Sequence, residues 1–197
     1  MTTREEVLAT LRNHTTRRIR FQFPMVNIGG RPLGNITVNQ TTFDRVAAAI
    51  ESGAIVVDDT SPLPAGVNAS YSDGTGRGGR MTVRRNVSHS RHWSAVVVHE
   101  SVHASLDLTR SRFSEVDTET AAFLASSMYM VATGMPLHRF TGTYELELRS
   151  ISFNALRTGN VPVTAIERLR QILRADRYNG GIMTDASGNW TASQGNG

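Results

Sequence analysis

The segment EVDTETAAFLASSMYMVAT, residues 115–133, constrains the fold more than any other part of the chain. Its pattern predicts a helix that begins after Ser114, with Asp117 in a capping-box-like position, and that stops at Gly134 with Pro136 just beyond. Alanine, serine and larger apolar residues occupy nearly all faces of this helix, so it has no side to present to water. We therefore predict a central, closely packed helix around which the other elements are arranged.

The remaining segments predict a mixed α+β fold with the strands on the N-terminal side and further helices after the one that ends at 108. Strands are predicted at 18–23, 35–38 and 54–58, and a β-hairpin with a glycine-rich tip at 68–85. Helices are predicted at 3–13, 43–52, from near Ser90 or Ser94 to 108, at 143–159 (whose first half also fits a strand) and at 165–176. We expect one domain over residues 1–177, with a small, mostly antiparallel sheet backed by the helix that ends at 108. Residues 178–197 are expected to form a tail with little fixed structure.

Composition narrows the chemistry that the chain can perform. The absence of cysteine excludes disulfides, thiolate metal sites and a cysteine nucleophile, so any metal must be held by histidine and carboxylate. All 21 basic residues are arginine, but they are dispersed and lack interleaved aromatic residues, so nucleic acid is not indicated as a partner. No apolar run approaches the ~20 residues of a membrane span, and the start has no signal-peptide pattern. We expect a cytoplasmic protein without a membrane partner. Export by a route that needs no N-terminal signal is the alternative.

The pentapeptide HESVH, residues 99–103, follows three valines within a predicted helix. Burying two imidazoles and a carboxylate is costly unless something pairs with them. On a helix, His99 and His103 project from one face, and both can reach one zinc ion at about 2.0–2.1 Å. Glu100 is rotated away from the ligands but can accept a proton from a water molecule that the zinc holds. The sequence therefore predicts a Zn²⁺ site with Glu100 as the catalytic base.

A zinc ion held by two histidines needs a third protein ligand, and Glu119 is the preferred candidate. The short connection TRSRF predicts a tight helical hairpin, in which His103 and Glu119 come to roughly the same level. Asp107, Glu115 and Asp117 remain alternatives. Asp107 can also orient the His103 ring, or it can be a solvated side chain near the end of its helix.

HESVH followed by ETAA (119–122) resembles the glutamate zincins, HEXXH metallopeptidases whose third ligand is a glutamate in a Glu-x-x-(Ala/Asp) setting on a later helix. The stretch is also similar to small bacterial zincin-like proteins, and the resemblance covers about residues 80–134. It implies a zincin-like fold in which the hairpin strand before the motif is the edge strand that aligns substrate. Only 15 residues separate His103 from Glu119, at or below the short end for this group, which keeps the other carboxylates open.

The resemblance also implies a second hydrogen-bond donor, a tyrosine, histidine or arginine, for the oxyanion of the reaction. His138 is the preferred candidate because it follows the end of the central helix in a loop. Tyr129, Tyr144 and His92 are also eligible, and Tyr129 fits better in the core.

We expect a zinc-dependent metallopeptidase that acts on a peptide or protein substrate. A catalytically silent zincin fold used for binding is one alternative, although such a module would have no use for Glu100 beside the metal. An arginine-rich nucleic-acid-binding domain is the other alternative, and it predicts that affinity falls steeply with salt. The sequence gives no indication of the oligomeric state.

Overall fold

The architecture is that of a computed structural model, which describes residues 1–26, 32–65, 67–73, 79–85, 90–109, 114–137 and 143–178. The helices are α1 (Thr3–Arg12), α2 (His14–Arg17), α3 (Gln40–Ser52), α4 (Arg91–Leu108), α5 (Glu115–Ala132), α6 (Thr143–Thr158) and α7 (Val163–Tyr178). The strands are β1 (Phe21–Val26), β2 (Pro32–Val38), β3 (Ile55–Asp58), β4 (Ala69–Ser72) and β5 (Gly79–Val83). The fold class is α+β, as the sequence predicts.

The strands form two small sheets rather than the single sheet that the sequence predicts. β1 pairs antiparallel with β2, while the second sheet has the order β3-β5-β4, with β5 parallel to β3 and antiparallel to β4. β5 is buried at every position except Arg80, and a strand that is covered on both faces suits the middle of a sheet. The hairpin strand before the motif is therefore not an edge strand. The free edge of the hairpin belongs to β4.

The two long central helices begin at side-chain caps. The Ser90 hydroxyl accepts a hydrogen bond from the Trp93 amide at 2.9 Å and starts α4, and the Ser114 hydroxyl accepts one from the Asp117 amide at 3.1 Å and starts α5. Such caps satisfy amides that the first turn of a helix leaves without intrahelical partners. Just after α5, Gly134 has a φ of 71°, a left-handed conformation that glycine adopts without strain. Both ends of α5 agree with the sequence prediction.

Helix α5 lies at the centre of the molecule. Every residue from Glu119 through Met130 is buried, and α4, α6, α7 and β2 all pack against this helix. The small side chains of Ala121, Ala122 and Ala125 allow neighbouring elements to approach closely. The prediction of a central helix is confirmed. Because of this position, the polar side chains between Glu119 and Met130 lie in the protein interior.

The C-terminal part of the described chain is helical. The segment that fits either a helix or a strand forms α6, and its buried side chains Leu148, Ile151 and Ala155 follow helical spacing. The predicted tail lies outside the described residues apart from Tyr178, and the single domain over 1–177 stays a prediction. Apart from Val67, the buried apolar side chains of the described residues form one cluster. No helix in the described ranges combines the length and apolarity that a membrane crossing requires.

Candidate metal centre

Helix α4 directs two imidazoles toward the same point. His99 and His103 are one turn apart, their Nε2 atoms lie 3.2 Å from each other, and their rings meet edge-on. The His99 ring also rests edge-on against Phe123 of α5, with 4.7 Å between ring centroids, which restrains its tilt. The side chain of His99 is 4% exposed and that of His103 is 17% exposed. The cluster is therefore most accessible on the His103 side.

Glu119 brings a carboxylate from α5 to the same point. Its Oε2 lies 3.5 Å from Nε2 of His99, and its Oε1 lies 3.6 Å from Nε2 of His103. These three side chains are the one group of metal-binding type that the described part of the chain contains. The structure thus brings together the two histidines and the carboxylate that the sequence ranks first.

The spacing of these atoms suits a tetrahedral zinc ion. Two ligand atoms that each lie 2.0–2.1 Å from zinc at a tetrahedral angle are about 3.3–3.4 Å apart. The two Nε2 atoms are 3.2 Å apart, close to that value, and each of them has a different oxygen of Glu119 at 3.5 or 3.6 Å, so the carboxylate faces both imidazoles. Oε2 of Glu119 is buried and accepts no hydrogen bond from any described residue, so a cation bound between the three side chains would balance its charge. The donor set therefore fits zinc, and three protein ligands are typical of catalytic rather than structural zinc.

The electrostatics of the cluster also favour a positive charge between the three side chains. Burial opposes ionisation of Glu119, but the neighbouring imidazoles of His103 and His99 outweigh burial and lower the pKa of this carboxyl. Burial likewise favours the neutral ring of His103, yet the Glu119 carboxylate raises the pKa of that imidazole. A divalent cation would balance the carboxylate while leaving both imidazoles neutral, the form in which they bind metal.

Glu100 lies beside the cluster without being part of it. Its side chain is buried, and its Oε2 accepts a hydrogen bond from the backbone amide of Tyr71 in β4 at 2.8 Å. Burial raises the pKa of the Glu100 carboxyl, although the nearby imidazoles act in the opposite direction. A carboxylate that is held in place and made more basic is suited to accept a proton.

Tyr71 is a residue of the site that the sequence does not reveal. Its half-buried side chain extends along α4, and its hydroxyl donates a hydrogen bond to Oδ2 of Asp107 at 2.7 Å. Asp107 is exposed, and the role of orienting the His103 ring stays a prediction for it. The one sequence signal for Tyr71 is the alternation of the hairpin, which does not specify which strand faces α4.

The other candidate residues lie away from the cluster or outside the described residues. His138, the preferred oxyanion donor, lies outside them. Glu115 is exposed in the first turn of α5. Asp117 is buried, but its carboxylate is occupied by Arg170, whose Nε donates to Oδ1 at 2.7 Å. Of the four carboxylates that the sequence leaves open, Glu119 is therefore the one that meets the histidines.

The remaining candidate donors also have other surroundings. The Tyr129 hydroxyl accepts a hydrogen bond from the Asn13 side chain at 3.1 Å, in agreement with a place in the core. The Tyr144 ring packs edge-on against Phe123 at 5.7 Å, so that one aromatic ring separates it from His99. His92 lies in the first turn of α4, well before the two histidines of the cluster.

Three comparisons with known proteins were made for this chain. A scan against protein-family models, a search of curated proteins and a search of solved structures each found no match. The resemblance to glutamate zincins therefore rests on HESVH and ETAA alone.

Proposed function

We propose that the protein is a zinc-dependent metallopeptidase that hydrolyses a peptide bond in a peptide or protein substrate. The observation that carries this proposal is the convergence of His99, His103 and Glu119, each of which offers one atom within 4.8 Å of the others, so that one zinc ion could be held between them. A buried carboxylate, Glu100, lies beside them. The resemblance of HESVH and ETAA to glutamate zincins supports the same assignment. The expected cytoplasmic location is part of this proposal.

The residues of the site would divide the work between binding and proton transfer. His99, His103 and Glu119 would hold the zinc ion, which when bound acts as a Lewis acid and lowers the pKa of water to about 7. Glu100 accepts a proton from the attacking water as the new C–O bond forms, and it returns this proton to the amine as the C–N bond breaks. The Tyr71 amide engages Oε2 of Glu100, which leaves Oε1 available to receive the proton.

Glu100 separates this proposal from its main alternative. A catalytically silent binding protein with the same metal ligands would tolerate an amide at this position, since no proton has to be accepted. A peptidase would not, because the amide of Gln is not a base at neutral pH. The nucleic-acid-binding alternative has no support from the site, in which the described groups around the metal ligands are carboxylates, imidazoles and aromatic rings.

The experiment is to measure metal content and cleavage for the same set of variants. Protein purified without chelator should carry about one zinc per chain, and His99→Ala and His103→Ala should lose it. Glu100→Gln should keep the zinc and lose about 10²- to 10⁴-fold in cleavage rate. The probe is a proteome-derived peptide library, with new termini identified by mass spectrometry.

The control variant is Glu51→Gln, which makes the same chemical change at an exposed ion pair with Arg12 outside the site. It should keep both zinc and activity. A purified protein without metal, or cleavage by Glu100→Gln at the wild-type rate, would contradict the proposal. Zinc-loaded wild type that cleaves nothing would favour the binding-protein alternative.

A further inference from the structure

Tyr71 contacts α4 at two points, one on each side of His103. Its amide donates to Glu100, three residues before His103, and its hydroxyl donates to Asp107, four residues after it. Residues at these spacings share one face of a helix, and Glu100 and Asp107 are about 10.5 Å apart along the axis. Tyr71 therefore extends along the side of the cluster on which His103, the most exposed of the three side chains, lies.

The amide of Tyr71 belongs to a free strand edge. Tyr71 is the neighbour of Met81 in the β4–β5 pairing, but its N–H is directed to the carboxylate on α4 and not to β5. An edge amide usually faces water, where it has no fixed partner. Here it makes a hydrogen bond to a carboxylate, and such charge-assisted bonds are stronger than those between neutral groups.

The side chain of Tyr71 has fixed contacts of its own. The ring lies on Gly79 of β5, where an added Cβ would come within 2.5 Å of the ring carbon Cε2 and would also overlap the hydroxyl oxygen. Only glycine leaves room for the ring at this place. With the ring seated on β5 and the hydroxyl bonded to Asp107, the tyrosine ties the edge strand to α4.

We infer that Tyr71 is a positioning residue for Glu100: its side chain, anchored by Asp107 and seated on Gly79, holds its own amide against the Glu100 carboxylate. The inference rests on the proposed role of Glu100 as the base. With Oε2 engaged, the carboxylate is prevented from rotating, and Oε1 keeps one direction. Losing the anchor at Asp107 frees β4 to move away from α4, and the orientation of the base is lost with it.

The first test measures hydrogen exchange at the amide of residue 71 by NMR, in the zinc-loaded protein and without metal. Tyr71→Phe keeps the ring and the amide and removes only the hydroxyl, so this one amide should exchange about tenfold faster, which corresponds to about 1.4 kcal/mol. Asp107→Ala should have the same effect, and the double variant should add nothing to either single change. Tyr129→Phe, which removes a hydroxyl bonded to Asn13, should leave exchange at residue 71 unchanged.

The second test measures cleavage by the same variants. With zinc in excess, Tyr71→Phe and Asp107→Ala should lower kcat by roughly the factor seen in exchange, while KM stays at its wild-type value. Tyr71→Phe should also keep the wild-type zinc affinity. Unchanged exchange in Tyr71→Phe, or an equal effect of Tyr129→Phe, would overturn the inference whatever the activity. If wild type cleaves nothing, the proposed function fails, and the exchange data still decide whether Tyr71 holds Glu100.

Discussion

Replacing Arg170 by methionine should reveal how the N-terminal turn of α5 is held in place. The Arg170 side chain is fully buried, although it carries a charge. Its Nε donates to Asp117 at 2.7 Å, its Nη1 to Glu167 at 2.5 Å and its Nη2 to the carbonyl of Pro24 at 2.7 Å. The guanidinium also lies over the ring of Phe23, 5.3 Å from the centroid. One side chain thus joins α7, α5 and β1.

The size of the effect follows from what the substitution leaves behind. Methionine fills much of the volume, but it leaves the Asp117 carboxylate buried without its cation, and breaking a buried ion pair in this way costs about 3–5 kcal/mol. Glu167 contributes little because its side chain is 40% exposed, and ion pairs of that kind contribute about 0–1 kcal/mol. We therefore expect a loss of about 4 kcal/mol, a large share of the roughly 5–15 kcal/mol that stabilises a typical domain.

Urea unfolding at pH 7, with zinc and with chelator, measures the loss directly. Arg168→Met is the matched control, because Arg168 lies on the same helix, pairs with Glu147 and has an exposed side chain; the change should cost less than about 1 kcal/mol. Adding Asp117→Leu to Arg170→Met should restore most of the stability, since no unpaired charge then remains buried. A loss below about 1 kcal/mol for Arg170→Met, or no recovery in the double variant, would refute the reasoning.

Two further predictions concern single carboxylates. Glu119→Ala should weaken zinc binding by orders of magnitude, whereas Asp107→Ala should lower zinc affinity by at most about 10–100-fold. Parallel zinc titrations of the two variants measure the difference. A larger effect at Asp107 would refute the assignment of Glu119 as a ligand. Hydrogen bonds from Ser61 and Thr60 hold the pKa of Asp58 well below its usual range. The ionised Asp58 carboxylate therefore contributes its full stabilisation above the unfolded pKa of about 3.9, and this contribution declines as the pH falls below that value. Unfolding experiments should therefore show a stability gap between wild type and Asp58→Asn that is constant from pH 7 to 5 and narrows below about pH 4; a gap that widens in acid would contradict this.

Local patterns were sufficient to predict most of the helices. Ser114 and Gly134 mark the ends of α5 in the sequence, and the structure has the cap and the left-handed glycine at those positions. The proposed metal ligands could be found for a similar reason, since His99 and His103 are neighbours on one helix. Glu119 required only the further assumption that the next helix packs against the first, which it does.

Long-range contacts set the limit of what the sequence could predict. The parallel pairing of β5 with β3 depends on which strand the hairpin docks against, and nothing in residues 79–83 specifies that partner. Tyr71 appears as one more residue of an alternating strand until β4 is placed beside α4. Arg170 interrupts an apolar stripe between Leu169 and Leu173, which was a visible signal, but its partner Asp117 lies 53 residues away.

The burial of α5 on all sides has a consequence for how this protein can change over time. Surface helices accept substitutions on their outer faces, so sequences drift there without effect on the fold. From Glu119 through Met130, α5 has no outer face on which such drift is harmless. A substitution that changes side-chain volume along this stretch displaces the densely packed neighbours, and their movement shifts the carboxylate of Glu119. Variation that adapts the protein to new tasks must therefore accumulate elsewhere, in the elements that surround this helix.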